Sequence, residues 1–85
     1  MTTKRVEYDV HAMDRMRERG ITRQDVRWLL AQGAPATADQ RDHSDPVFGR
    51  EGYLANRREA KIIYLENAER VYIITVMWTD EGRNR

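Results

Sequence analysis

The sequence predicts an α+β domain: two N-terminal helices followed by a meander of three or four antiparallel strands. Three observations predict it. Apolar residues recur at helical spacing over the first third of the chain, and each of the two segments ends at a glycine, Gly20 and Gly33. The chain then closes on an unbroken β-branched and aromatic run, Val71-Tyr72-Ile73-Ile74-Thr75-Val76-Met77-Trp78.

The first helix is expected to start at Asp9, a good N-cap, and to end at Gly20, which supplies a left-handed residue past the last turn. The second has a fuller start signal. Thr22 stands at the N-cap with Asp25 three residues on, and Ile21 and Val26 occupy the positions of a hydrophobic staple. Its apolar stripe is Val26, Leu29 and Leu30, and it should stop near Gln32, with Gly33 preceding Pro35. Trp28 lies off that stripe and reads as a cover over an adjoining strand, or else as an exposed contact for a partner. Residues 34–46 are polar and aperiodic, which suggests an edge strand over 36–39 and then a loop in which His43 is solvated among Asp42, Ser44 and Asp45. Residues 49–56 can form a strand with Tyr53 and Leu54 as its apolar members. Residues 60–70 fit two patterns: a helical face of Ala60, Ile63, Tyr64, Ala68 and Val71, or a short strand turning at Glu66-Asn67-Ala68-Glu69. The closing run is apolar on both faces, so it should be a central strand covered on each side.

The 85-residue chain is 40% hydrophobic and 34% charged, the balance of one small globular domain over 1–85, with frayed ends at 1–5 and 79–85. It has 0 cysteines, which removes disulfides and thiolate metal sites and fits a reducing compartment. No apolar leader follows Met-Thr-Thr-Lys-Arg and no window approaches a membrane span, so a cytoplasmic protein is expected. The net charge is +1 and the pI about 8.1, low for a protein that grips long stretches of nucleic acid. Any such contact must come from local clusters. Those are a stripe on the first helix, Arg57-Arg58 with Lys61, and the two ends. Glycine-rich phosphate loops, nucleophile elbows and metal-ligand spacings are absent, and no cofactor is expected.

The stripe is the chemically informative feature. His11, Arg15 and Arg19 fall at about 0°, 40° and 80° on a helical wheel, beside the apolar Ala12 and Met16. A basic stripe at the edge of a buried face is partly desolvated, where a histidine and two arginines can hold a phosphate. The plain alternative is that boundary arginines lay their stems over apolar surface.

The pattern His-Ala-x-x-Arg-Met-x-x-Arg-Gly-Ile (His11 to Ile21), the capped second helix with Val26 and Leu30, and the strand Ile74-Thr75-Val76 resemble a domain-of-unknown-function family of small bacterial and phage proteins. That family is grouped with the toxin-like ribonucleases of the barnase, EndoU, colicin and RelE superfamily. The resemblance covers nearly the whole chain, loosely over 35–56. It implies a RelE-like fold with helices on a twisted antiparallel sheet, a hairpin rather than a helix over 60–70, and metal-independent RNA cleavage. It adds His11 and Arg15 as active residues, with Thr75 facing them from the sheet. Attack by a 2′-hydroxyl needs a base of histidine type and fixed guanidiniums for the phosphorane oxygens. Arg19, Arg57, Arg58 and Lys61 complete the expected RNA contacts. For a second acid or base the chain offers His43, Tyr53, Tyr64, Tyr72 and Glu59, and their spacing singles out none.

Two functions of different class follow. One is an endoribonuclease toxin or toxin-derived RNA-binding protein, with His11 as acid/base and Arg15 and Arg19 as phosphate clamp. The other is a non-enzymatic module that binds an antitoxin or a host protein through Trp28, Trp78 and a strand edge.

Overall fold

The structure, a computed structural model, describes residues 4–38 and 45–80. Its elements run β1 (Arg5–Tyr8), α1 (Val10–Arg19), α2 (Arg23–Gln32), β2 (Ala34–Ala36), β3 (Val47–Tyr53), β4 (Glu59–Glu66) and β5 (Arg70–Trp78). They form an α+β domain with a five-stranded mixed sheet in the order β1-β5-β4-β3-β2. β1 is parallel to β5, and the other neighbours are antiparallel. The expectation of three or four antiparallel strands is corrected by β1. Arg5-Val6-Glu7-Tyr8 does alternate, with Val6 and Tyr8 packed against the core, but four residues are too few to stand out from a chain end. Lys4 and Arg5, expected to fray, are held there instead. Lys4 Nζ sits 2.6 Å from Glu66 Oε2, and Arg5 pairs with Arg70 across the ladder.

Both helices form for the reasons their ends suggest. Asp9 Oδ2 accepts the His11 N–H at 3.0 Å, and Gly20 closes α1 at φ 70°. The Thr22–Asp25 box is reciprocal, with 3.0 Å bonds from Asp25 N–H to Thr22 Oγ1 and from Thr22 N–H to Asp25 Oδ2. Gly20→Ala is expected to cost about 1 kcal/mol, because a Cβ strains the left-handed backbone even though the space around it is open. Ile21, 3% exposed, anchors the same corner, and Ile21→Asp should cost several times more by stranding a carboxylate in the core. Thermal melts check both: a shift of about 4–8 °C corresponds to the glycine change in a domain of this size.

The edge strand expected at 36–39 forms earlier, at Ala34–Ala36, where Pro35 costs no ladder bond because the strand is outermost. Asp39 and His43 lie outside the described residues. β4 and β5 make the hairpin, with Asn67 Oδ1 accepting from the backbone of Glu69 and Arg70 in the turn.

One face of the sheet carries the core. Ala60, Ile62, Tyr64, Val71, Ile73, Val76 and Trp78 pack there with Ala12, Met16, Ile21, Val26 and Leu29 of the helical segment. β5 is interior, but helices cover it on one side; Tyr72, Ile74 and Met77 lie half-buried on the other. Its inward positions are out of step, and the cause is a bulge. Tyr64 pairs with Ile73 and Ile63 with Thr75, so Ile74 is an extra residue. Beyond it the inward positions are 76 and 78, not 75 and 77.

α1 lies along β5, while α2 crosses β3 and β4 at their Gly52–Ala60 end. Trp28 covers the strand there: a Cβ on Gly52 would stand 3.0 Å from its ring, so the glycine lets the indole lie close without shifting. Among the described residues, none covers the opposite end of β3 and β4 on the same face. Phe48 stands there, 42% exposed although it pairs with the buried Tyr64.

Candidate functional site

The uncovered end is bordered by α1. The Asp9 N–H donates to Ile73 O at 2.9 Å, and Ile73 is the register partner of Tyr64, so α1 begins level with Tyr64. Which side of α1 faces β4 follows from Met13. Its sulfur is 3.9 Å from Arg23 Nη2, and the Arg23 guanidinium lies 4.9 Å over the Tyr8 ring of β1. Arg23 opens α2, which packs on β3 and β4, so Met13 marks the β4 side. With Ala12 and Met16 pointing down, Arg15 and Arg19 emerge on the side away from β4, where Arg19 reaches Val76 O, and His11 opens to solvent beside them. His11 is exposed, and its side chain makes no hydrogen bond among the described residues. Arg15 holds Glu18 at 3.0 Å in an exposed i,i+3 pair, a contact worth a few tenths of a kcal/mol that an anion readily replaces.

Arg50 supplies the floor. It sits on β3 opposite Ile62, on the helix-bearing face. Its Nε donates to the Tyr64 hydroxyl at 3.1 Å and its Nη1 to the Gly33 carbonyl, just past α2, at 2.8 Å. Both partners are neutral oxygens, and no carboxylate pairs with Arg50 among the described residues, so its positive charge is uncompensated there. The Tyr64 oxygen accepts from Arg50, which leaves its own O–H free to donate. Phe48 stacks on Tyr64 with centroids 5.7 Å apart and planes at 29°.

His11 and Arg15 do not join this group, and neither do most of the other expected residues. Thr75 was expected to face His11 and Arg15. It pairs with Ile63, which alternates with the buried Ile62 and Tyr64, so it lies on the sheet face turned away from the helices. The bulge is the reason: without it, regular alternation from Ile73 would turn Thr75 inward. Lys61 is on that far face too, opposite Met77. Arg57 and Arg58 occupy the β3–β4 turn, at the other end of the sheet from Tyr64, about 17 Å away at strand spacing. Arg57 there takes φ 67°, and Arg58 is engaged with Asp80 at 3.1 Å and with the Trp78 ring at 4.1 Å. Arg19 donates to Val76 O at 3.5 Å, a support for the helix rather than a free clamp. Trp78, expected as a partner contact, is 5% exposed within the core and offers no such surface. Arg50 went unnoticed in the sequence. The signal available was an arginine at an inward position of a strand, between Phe48 and Gly52 in Phe-Gly-Arg-Glu-Gly.

A second polar pair steadies the start of α1. The Tyr72 hydroxyl donates to Asp9 Oδ1 at 2.7 Å. That bond first, and the His11 N–H second, hold the Asp9 carboxyl below its ordinary value of 3.8. The same carboxylate first, and burial second, push the Tyr72 hydroxyl above 10.0. The lowered carboxyl contributes stability above pH 3.8 that is lost as pH falls through its folded value. The raised phenol contributes below pH 10.0 and is lost as pH rises through its own. Tyr72→Phe is therefore expected to melt lower than the parent at neutral pH, with the gap narrowing in acid. Melts from pH 2 to 8 check this, and a gap independent of pH would count against it.

Among the described residues, no group of three or more His, Cys, Asp or Glu is placed to hold a metal ion, and no helix is long and apolar enough to cross a membrane. Comparison with curated proteins and with solved structures gives no match. The model of one family, described as a domain of unknown function (DUF4258), matches residues 8–78, which takes in α1, the uncovered sheet end and β5, and the chain belongs to that family.

Proposed function

We propose that the protein binds RNA on its helix-bearing face and cleaves RNA phosphodiesters, as a toxin-like endoribonuclease of the barnase–EndoU–colicin–RelE type would. The observation that carries this reading is Arg50: a guanidinium with no carboxylate partner among the described residues, fixed by two neutral oxygens on the helix-bearing face. Arg15, beside His11 on α1, and Arg50 on the sheet hold phosphate oxygens of the strand, a task suited to planar guanidiniums. His11 takes the proton of the attacking 2′-hydroxyl as the O2′–P bond forms. The P–O5′ bond breaks, the leaving oxygen takes a proton from water, and the protonated His11 returns its proton to solvent. The products are a 2′,3′-cyclic phosphate and a 5′-hydroxyl.

The test is incubation of the purified protein with single-stranded RNA in the presence of a chelator. Fragments ending in 2′,3′-cyclic phosphates are expected. Intact RNA, or cleavage that the chelator abolishes, would contradict the reading.

A further inference from the structure

We infer that Phe48 is a stacking platform for an unpaired nucleobase, which restricts the site to single-stranded nucleic acid. The inference rests on the phosphodiester reading and names its substrate class. One face of the Phe48 ring lies against Tyr64, while 42% of the residue remains exposed beside the core. Tyr64 is 3% exposed, so Phe48 is the ring of this pair that a ligand can reach. A large apolar ring left open on the face that elsewhere builds the core is unexplained by packing. Its neighbour through Tyr64 is the Arg50 guanidinium, which no carboxylate pairs among the described residues. A π-face beside a fixed positive charge matches a nucleotide, with base on ring and phosphate on guanidinium. A base inside a duplex is stacked on both sides and cannot reach a ring set into a sheet, whereas a splayed base can.

The experiment uses fluorescence anisotropy with a 2′-O-methyl pentanucleotide, whose blocked hydroxyl prevents cleavage, presented alone or annealed to its complement. Wild-type protein should bind the single strand about tenfold or more tightly than the duplex. Phe48→Leu should lower single-strand affinity by about tenfold or more, and Phe48→Trp should retain it, with duplex binding unchanged in both. Because Phe48 is partly exposed, both variants should fold, and circular dichroism melts verify that. Equal affinity for strand and duplex, or single-strand binding indifferent to Phe48→Leu, would overturn the base subsite while leaving the phosphate reading standing. Failure of the wild type to bind either form would overturn both.

Discussion

His11→Ala should slow RNA cleavage by a factor of about 10² to 10⁴, the usual worth of a general base, with little change in melting temperature. The side chain is exposed and makes no hydrogen bond among the described residues, so its loss removes no packing. The cap survives the change as well, since Asp9 bonds the backbone N–H of residue 11 and not its imidazole. Initial rates on a single-stranded substrate, measured beside thermal melts, separate chemistry from folding. A rate within a factor of two of wild type would remove His11 from the mechanism.

The second large effect is expected at Arg50. Arg50→Met keeps the aliphatic stem but removes the charge and both anchoring bonds, to Gly33 O and to the Tyr64 hydroxyl. RNA affinity should fall by about tenfold or more, and its salt dependence should flatten as one phosphate contact is lost. Arg50→Lys should recover little of this, because one ammonium cannot span two anchors and still present a planar face to phosphate. Tyr64→Phe provides the control: it also breaks the Nε bond, but it spares the guanidinium. It should lower affinity far less than Arg50→Met does. Equal affinity in wild type and Arg50→Met would contradict the assignment.

The helices were legible because their signals are local. A capping residue, a reciprocal acid three positions on and a terminal glycine act within one turn, and Asp9, Thr22, Asp25 and Gly20 all do what their positions suggest. β1 was not legible, since the pairing partner that makes Arg5–Tyr8 a strand is β5, more than sixty residues away. Thr75 fails for a subtler reason. In a run that is apolar at nearly every position, alternation carries no phase, so a one-residue bulge leaves no mark in the sequence and yet reverses the face of everything after it. The site divides along the same line. His11 and Arg15 share a helical stripe and could be read from spacing alone. Arg50, Tyr64 and Gly33 meet only through the register of β3 against β4 and the course of α2, which spacing does not encode.

The central claim is that nucleic acid meets the helix-bearing face at its uncovered end. Backbone amide NMR shifts on titration with the 2′-O-methyl pentanucleotide test this most directly. The account expects the largest changes at Phe48, Arg50 and Tyr64. Changes concentrated instead at Lys61, Ile63, Thr75 and Met77 would put the ligand on the opposite face and contradict it.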